Sequence, residues 1–326
     1  MSLQSEDSSA ALLLGAPQVM TLAVYNTLVT VLGLSGNTLI IYSSLRYRAI
    51  KLDEVSLLFV QNLAAADLLY IFCNVLPSTI TFIARKYVLG EVYCFVSAQI
   101  SFVPGSVNTL TILALTAYRL RLVYSPLHHS ISPRAAKIMI FFIWVLATTA
   151  MDISLGFKSH SVFVQTSAKC FSTIYQNVVA STLFKFAIGC VVFVPILGIT
   201  ILNTILCVIA YRSRVSMKDS SNRNKPGTKA LTTVCLLSGL FVISWAPYII
   251  YVMWKSHSKD VPLEMELLAF QVIQLNSCGN PILYTFTNKR FGRYVVGVIR
   301  GLMCWKPTTT SQQQSSTQAV KSTSHF

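Results

Sequence analysis

Charge is what this chain has least of. Only 11% of its 326 residues are Asp, Glu, Lys or Arg, against roughly a quarter in soluble domains. With 53% hydrophobic residues and a mean hydropathy of +0.59, that excludes an ordinary water-soluble domain. Acids are scarcer still, 11 against 26 Lys and Arg, for a net charge of +15. Such a balance can mark a nucleic-acid binder, but the placement of the basic residues points elsewhere. The eight cysteines include no CxxC pair and no zinc-ligand spacing. No nucleophile, base and metal constellation stands out, so an enzyme is not expected. No repeat links the two halves, which argues against an inverted-repeat transporter. Before its first apolar run the chain carries Glu6 and Asp7 rather than a basic start, so that run reads as an insertion signal rather than a cleaved leader. No Asn-x-Ser/Thr sequon precedes it.

What is abundant is long apolar sequence. A membrane helix needs about 20 predominantly apolar residues, and seven stretches qualify, at roughly 19–43, 55–84, 94–122, 135–156, 178–211, 229–254 and 263–287. Of the 26 basic residues, 19 fall on one side of these spans. They are Arg46, Arg48 and Lys51; Arg119, Arg121, Arg134 and Lys137; Arg212, Arg214, Lys218, Arg223, Lys225 and Lys229; and Lys289, Arg290, Arg293, Arg300, Lys306 and Lys321. Basic residues concentrate in short cytoplasmic loops, so the N-terminus is expected outside and the C-terminus in the cytoplasm, with no nucleic acid as partner. The division expected is an outer tail over 1–18, a seven-helix domain over 19–287, a surface helix over 288–304 and a tail over 305–326. The surface helix alternates Lys289, Arg290, Arg293 and Arg300 with Phe291, Tyr294, Val295, Val298, Ile299 and Leu302, the pattern of an amphipathic helix on a leaflet. Cys304 beyond it is a candidate for palmitoylation or a plain free thiol. The tail is rich in Ser, Thr and Gln and is expected to lack structure.

Each span carries polar or helix-bending residues that a passive anchor would avoid. They are Gly36-Asn37 in the first span and Asn62-Leu63-Ala64-Ala65-Ala66-Asp67 in the second. The third runs from Cys94 to Tyr118-Arg119-Leu120, the fourth has Trp144 and the fifth Pro195. The sixth has Phe241-x-x-Ser244-Trp245-x-Pro247, and the seventh Asn276-Ser277-Cys278-Gly279-Asn280-Pro281-x-x-Tyr284. A proline inside a helix frees a backbone carbonyl and bends it. A carboxylate such as Asp67 in a span must be protonated, paired or solvated. Pro104 and Gly105 add a local distortion to the third span.

All seven sets in this order resemble the rhodopsin-like (class A) G-protein-coupled receptors. The resemblance implies an all-α fold, a seven-transmembrane helix bundle with a cytoplasmic amphipathic eighth helix. It implies a plasma-membrane receptor that passes ligand binding to a heterotrimeric G protein as the sixth span swings outward. A receptor-like scaffold without signalling, and further off a transporter, are the rival readings.

The resemblance also assigns roles. Cys94 and Cys170 would form a disulfide over the bundle mouth; Cys73, Cys190, Cys207, Cys235 and Cys278 would be packing residues. Asp67, Asn108, Asn276 and Asn280 would form a hydrated cluster and candidate sodium site. Arg119 would face the G protein, with Phe241, Trp245, Pro247, Asn280, Pro281 and Tyr284 as the moving switch. Tyr118 stands where the family has an acid that restrains the arginine, so raised basal signalling is expected. Asn203 replaces a tyrosine that braces the active state.

The pocket expected is Ser101, Phe102, Gly105, Phe184, Ala187, Ile188, Trp245, Tyr248, Val252, Phe270 and Gln274. Ser101 replaces the amine-binding acid and Gln274 the retinal lysine, so the ligand is expected to be small, non-aminergic and neutral or weakly polar. Asp152, Lys185, Glu264 and Glu266 are rim charges, either solvated or reading a charged group. Ser125-Pro126-Leu127-His128-His129 would dock G protein and arrestin. The Ser/Thr cluster from Thr308 to Ser324 is a candidate substrate for receptor kinases.

Overall fold

The computed structural model describes residues 14–47, 53–124, 131–156, 160–165, 168–173, 183, 186–187, 189–216, 226–258 and 260–303. Among them the chain forms seven long helices, a short hairpin and an eighth helix. The helices are α1 (Ala16–Tyr42), α2 (Glu54–Ala84), α3 (Gly90–Tyr124), α4 (Pro133–Gly156), α5 (Val194–Ser216), α6 (Pro226–His257), α7 (Leu263–Thr287) and α8 (Lys289–Met303). The hairpin strands, β1 (His160–Val164) and β2 (Lys169–Thr173), run antiparallel between α4 and α5. Five of the helices, α1, α2, α3, α5 and α6, meet the length and apolarity needed to cross a membrane among the described residues. The 25-residue α7 is diluted by its Gln, Asn and Ser residues, which the bundle interior absorbs.

The helices form a closed ring in which α7 packs on α6, α1 and α2, while α3 touches α2, α4, α5 and α6. The largest core cluster runs through the middle and includes Phe59, Leu63, Val107, Ile112, Leu115, Ile199, Phe241 and Trp245. Large apolar side chains such as Met20, Phe141, Phe142, Leu197 and Ile243 face outward, as lipid as the solvent requires. Cys190 and Cys207 are exposed rather than packed, whereas Cys278 is buried.

Polar side chains clip neighbouring helices together. Asn37 Nδ2 donates to the Ser277 carbonyl (2.7 Å). Asn62 Nδ2 donates to Thr111 Oγ1 (2.8 Å) and accepts at Oδ1 from Trp144 Nε1 (2.8 Å), joining α2, α3 and α4. Bonds of this kind contribute on average about 0.6 kcal/mol each inside a membrane, so their main yield is registration. At Gly36 an added Cβ would lie 2.5 Å from Pro281 Cβ; only hydrogen there lets α1 pack this closely on α7 at Pro281.

The bends lie where prolines dictate. α2 widens to a π-turn over Ile71–Val75 just before Pro77. α3 breaks at Ser101-Phe102, before Pro104. α5 is preceded by a π-turn over Gly189–Phe193, and Pro195 follows it. A proline cannot donate to the preceding turn, and the backbone loosens there. α8 turns off α7 at Asn288, whose Oδ1 accepts from the Arg290 and Phe291 amides (3.2 Å each). Phe291 is buried against Tyr284 and Ile40, which holds the basic face of α8 outward.

The hairpin departs from a purely helical reading. Cys170 is bonded to Cys94 at the start of α3, so β2 is stapled across the bundle mouth. Ala168 closes the hairpin at φ 52°, in the left-handed region, and its carbonyl accepts from Ser78 Oγ (3.2 Å) on α2.

Candidate functional site: an outer cavity and an inner arginine

Below the hairpin lies an outward-opening cavity, with about 580 Å³ of free space when the open solvent at its mouth is counted. Of the expected pocket residues, Ser101, Phe102 and Gly105 of α3, Trp245 and Tyr248 of α6 and Phe270 of α7 line it. Gly105 faces the Trp245 ring, which a Cβ there would meet at an ordinary contact distance of 3.4 Å. Trp245 lies tilted against Phe241 (5.5 Å) and edge-on to Tyr248 (6.0 Å), which meets Phe270 at 5.7 Å.

Three expected pocket residues lie elsewhere. Ala187 packs into the main core, and Val252 packs behind Tyr251 and Phe270. Gln274 is buried against its own helix, where its Nε2 donates to Gln271 Oε1 (3.3 Å), which also accepts from Asn26 Nδ2 of α1 (3.1 Å). Ile273 and Ser277 occupy the face of α7 that meets the cavity. Phe184 and Ile188 lie outside the described residues, as do Lys185, Cys304, the Ser125–His129 segment and the tail; nothing is described of the Asp152 side chain. Glu266 accepts from Tyr251 and lies 3.9 Å from Lys255, and Glu264 is exposed.

Sequence reading missed Tyr70 and Asn74, which lie three and seven residues beyond Asp67 on α2 and so share its face. It also missed Lys169, the one charged side chain among the lining residues. Lys169 is 6% exposed, with its Nζ 5.7 Å from the ring centres of both Tyr70 and Phe270. Burial pushes its ammonium down to about 7. Lys169 therefore adds a basic group to the aromatic and neutral polar lining, and β2, not a helix, delivers it. The only signal for this in the sequence is its place beside Cys170.

At its floor the cavity meets a buried polar cluster. Asp67 is fully buried; its Oδ1 accepts from Asn108 Nδ2 (2.8 Å) and its Oδ2 from Asn280 Nδ2 (2.7 Å). Asn108 and Asn276 line the cavity, and each has a buried side-chain oxygen without a hydrogen-bond partner. One carboxyl group and two amide oxygens without a protein partner are oxygen ligands that could hold a hard cation or water.

At the inner end Arg119 is buried, and one of its guanidinium nitrogens lies 2.8 Å from Asp53 Oδ1. This is an ion pair by distance, without the aligned geometry of a hydrogen bond. Asp53 caps α2, accepting from the Ser56 amide (3.0 Å), and Tyr118 Oη donates to the same carboxylate (3.0 Å). Burial alone would raise the Asp53 pKa, but Arg119, Ser56 and Tyr118 together bring it below the usual carboxylate value. The arginine therefore has an acid partner after all. It comes from the start of α2, with Tyr118 fastening it, which removes the ground for expecting raised basal signalling.

Residues 36–284 match the family model of the seven-transmembrane receptors of the rhodopsin family. The chain belongs to that family. Among curated relatives, the tachykinin-like peptides receptor 86C of Drosophila melanogaster is 22% identical over 85% of this chain and 58% of its own length. The Gq-coupled rhodopsin of Mizuhopecten yessoensis is 27% identical over 87% of this chain and 60% of its own. The rat melatonin receptor type 1B is 27% identical over 88% and 79%. The chain thus spans about three fifths of the length of the first two. The crystal structure of squid rhodopsin superposes with a TM-score of 0.72 at 16% identity, covering 89% of this chain and 88% of that one, and shows the shared fold. These rhodopsin-family features account for the apolar spans as membrane helices.

Proposed function

We propose that this receptor sits in the plasma membrane, N-terminus outside, and couples a small, non-aminergic ligand in the outer cavity to a heterotrimeric G protein. One observation carries the reading: the cavity floor shares Asn108 with the buried Asp67 cluster, and α7 runs on from that cluster toward the end of the bundle that holds Arg119. Asn108 and Asn276 form part of the cavity floor, and Asn108 and Asn280 hold Asp67. Pro281 and Tyr284 continue α7 toward the inner face. A ligand that binds better when α6 has swung out at Pro247 shifts the population to that state, and Arg119 must then leave Asp53 to meet the G protein. The side preference of the Lys and Arg residues supports the orientation. The Ser/Thr-rich tail, if phosphorylated by receptor kinases, would add the negative charge that recruits arrestin. No enzymatic role is part of this reading.

The Asp67 cluster suits a sodium ion, with Asp67, Asn108 and Asn276 as the groups that would hold it. The Asp53 pair takes away the support that Tyr118 lent to a non-signalling scaffold. G-protein activation in cells expressing this receptor, compared at equal surface level with Arg119→Ala, tests the proposal. Basal or ligand-driven activation that disappears in the variant is expected. Equal activation in both would overturn it.

A further inference from the structure

Lys169 gives the cavity a chemistry that the helices alone would not. A lysine in a surface loop ordinarily extends its ammonium into water, yet this one is turned inward and fixed there. The disulfide at Cys170 holds the next residue, and the left-handed turn at Ala168 and its bond from Ser78 hold the preceding one. Pairing of Lys169 with Val164 sets the register. The Nζ lies over the faces of Tyr70 and Phe270, an arrangement that attracts a cation but leaves its charge uncompensated. Among the described residues no Asp or Glu lines the cavity; the nearby acid, Asp67, has both oxygens engaged by asparagines. A buried cation without a counter-ion is costly, and a partner that brings one recovers that cost. Deeper in, the lining is aromatic and aliphatic, with Phe102, Trp245, Tyr248 and Ile273. The Trp245 indole N–H is buried without an acceptor.

We propose that the ligand is a carboxylic acid with a compact apolar body, its carboxylate paired with Lys169 under the hairpin and its body against Trp245. This rests on the outer cavity being the ligand site of the proposed receptor. It also separates two ends of the ligand by chemistry: β2 reads the charge, and α3, α6 and α7 read the shape. A neutral ligand of the same shape would gain nothing from the amine, whereas an acid holds it charged and pairs with it, so the acid group decides between otherwise similar molecules.

The test is thermal denaturation of the full receptor in a non-ionic detergent, which requires no G protein. The probes are 4-phenylbutyric acid, indole-3-propionic acid and decanoic acid, each beside its methyl ester and its primary alcohol. At least one acid is expected to raise Tm by several degrees while its ester and alcohol do not. Lys169→Gln is expected to abolish that shift and Lys169→Arg to keep most of it. Esters as effective as acids, no acid that shifts Tm, or a shift that survives Lys169→Gln would each overturn the proposal. So would a borohydride-fixed adduct of decanal on Lys169, because the amine would then serve as a nucleophile. If Lys169→Gln does not fold, the acid-ester contrast on the native sequence decides. Acid binding without G-protein activation would sink the signalling proposal and leave this one standing.

Discussion

Replacing Asp53 by Asn isolates the restraint on Arg119. Asn is as good an N-cap as Asp, so the start of α2 is retained, and its amide oxygen still accepts from Tyr118. What disappears is the charge 2.8 Å from the guanidinium. Two unit charges about 4 Å apart attract by roughly 4 kcal/mol at an effective dielectric of 20. The Asp53 side chain is 37% exposed and the contact is unaligned, which brings the net value down to about 1–1.5 kcal/mol. Since about 1.4 kcal/mol is a factor of ten in an equilibrium, a receptor resting with about 1% in the active form would move to about 10%. Basal G-protein activation, measured by energy transfer between labelled subunits at matched surface expression, should rise about tenfold. Tyr118→Phe removes one bond to a charged group, worth about 1.5 kcal/mol or somewhat more. It should raise basal activity in the same direction, and the double variant should fall short of the product because both act on one carboxylate. A basal signal within about twofold of the unaltered receptor in Asp53→Asn would refute the reasoning.

Because the Asp53 pKa is lowered, its pairing is complete above the ordinary carboxylate value and is lost only as pH falls through the depressed one. Basal activation in membranes should therefore stay flat between about pH 8 and about pH 5.5, and a steep rise on acidification in that window would contradict the assignment. Gly36→Ala places a methyl group 2.5 Å from Pro281. Overpacking of this kind costs about 1–3 kcal/mol, so Tm in detergent should fall by several degrees, and an unchanged Tm would show that α1 yields. If the Asp67 cluster holds sodium, exchanging sodium for choline should lower Tm of the receptor and leave Asp67→Asn unaffected; no difference in either would remove the ion from the site.

The hydropathy of the chain marked the spans, because whether a segment enters lipid depends on its own 20 or so residues, and the polar and proline motifs in their order carried the resemblance to the family. It also brought Asp67, Asn108, Asn276 and Asn280 under suspicion, since each is costly in a span regardless of its neighbours. Proline positions marked the bends in the same local way. Which face of a helix meets the cavity was less legible. Gln274 and Ser277 are both polar and one turn apart on α7, and only the rotation of α7 against α1 decided that Ser277 lines the cavity and Gln274 does not. Tertiary structure alone decided the two charges that matter most. Asp53 and Arg119 are far apart in sequence, and their meeting depends on where α2 begins relative to the inner end of α3. Lys169 reads as a solvated loop residue until the Cys94–Cys170 bond and the hairpin turn it over the bundle. In each case a charge was placed by long-range packing, which no local pattern of side chains encodes.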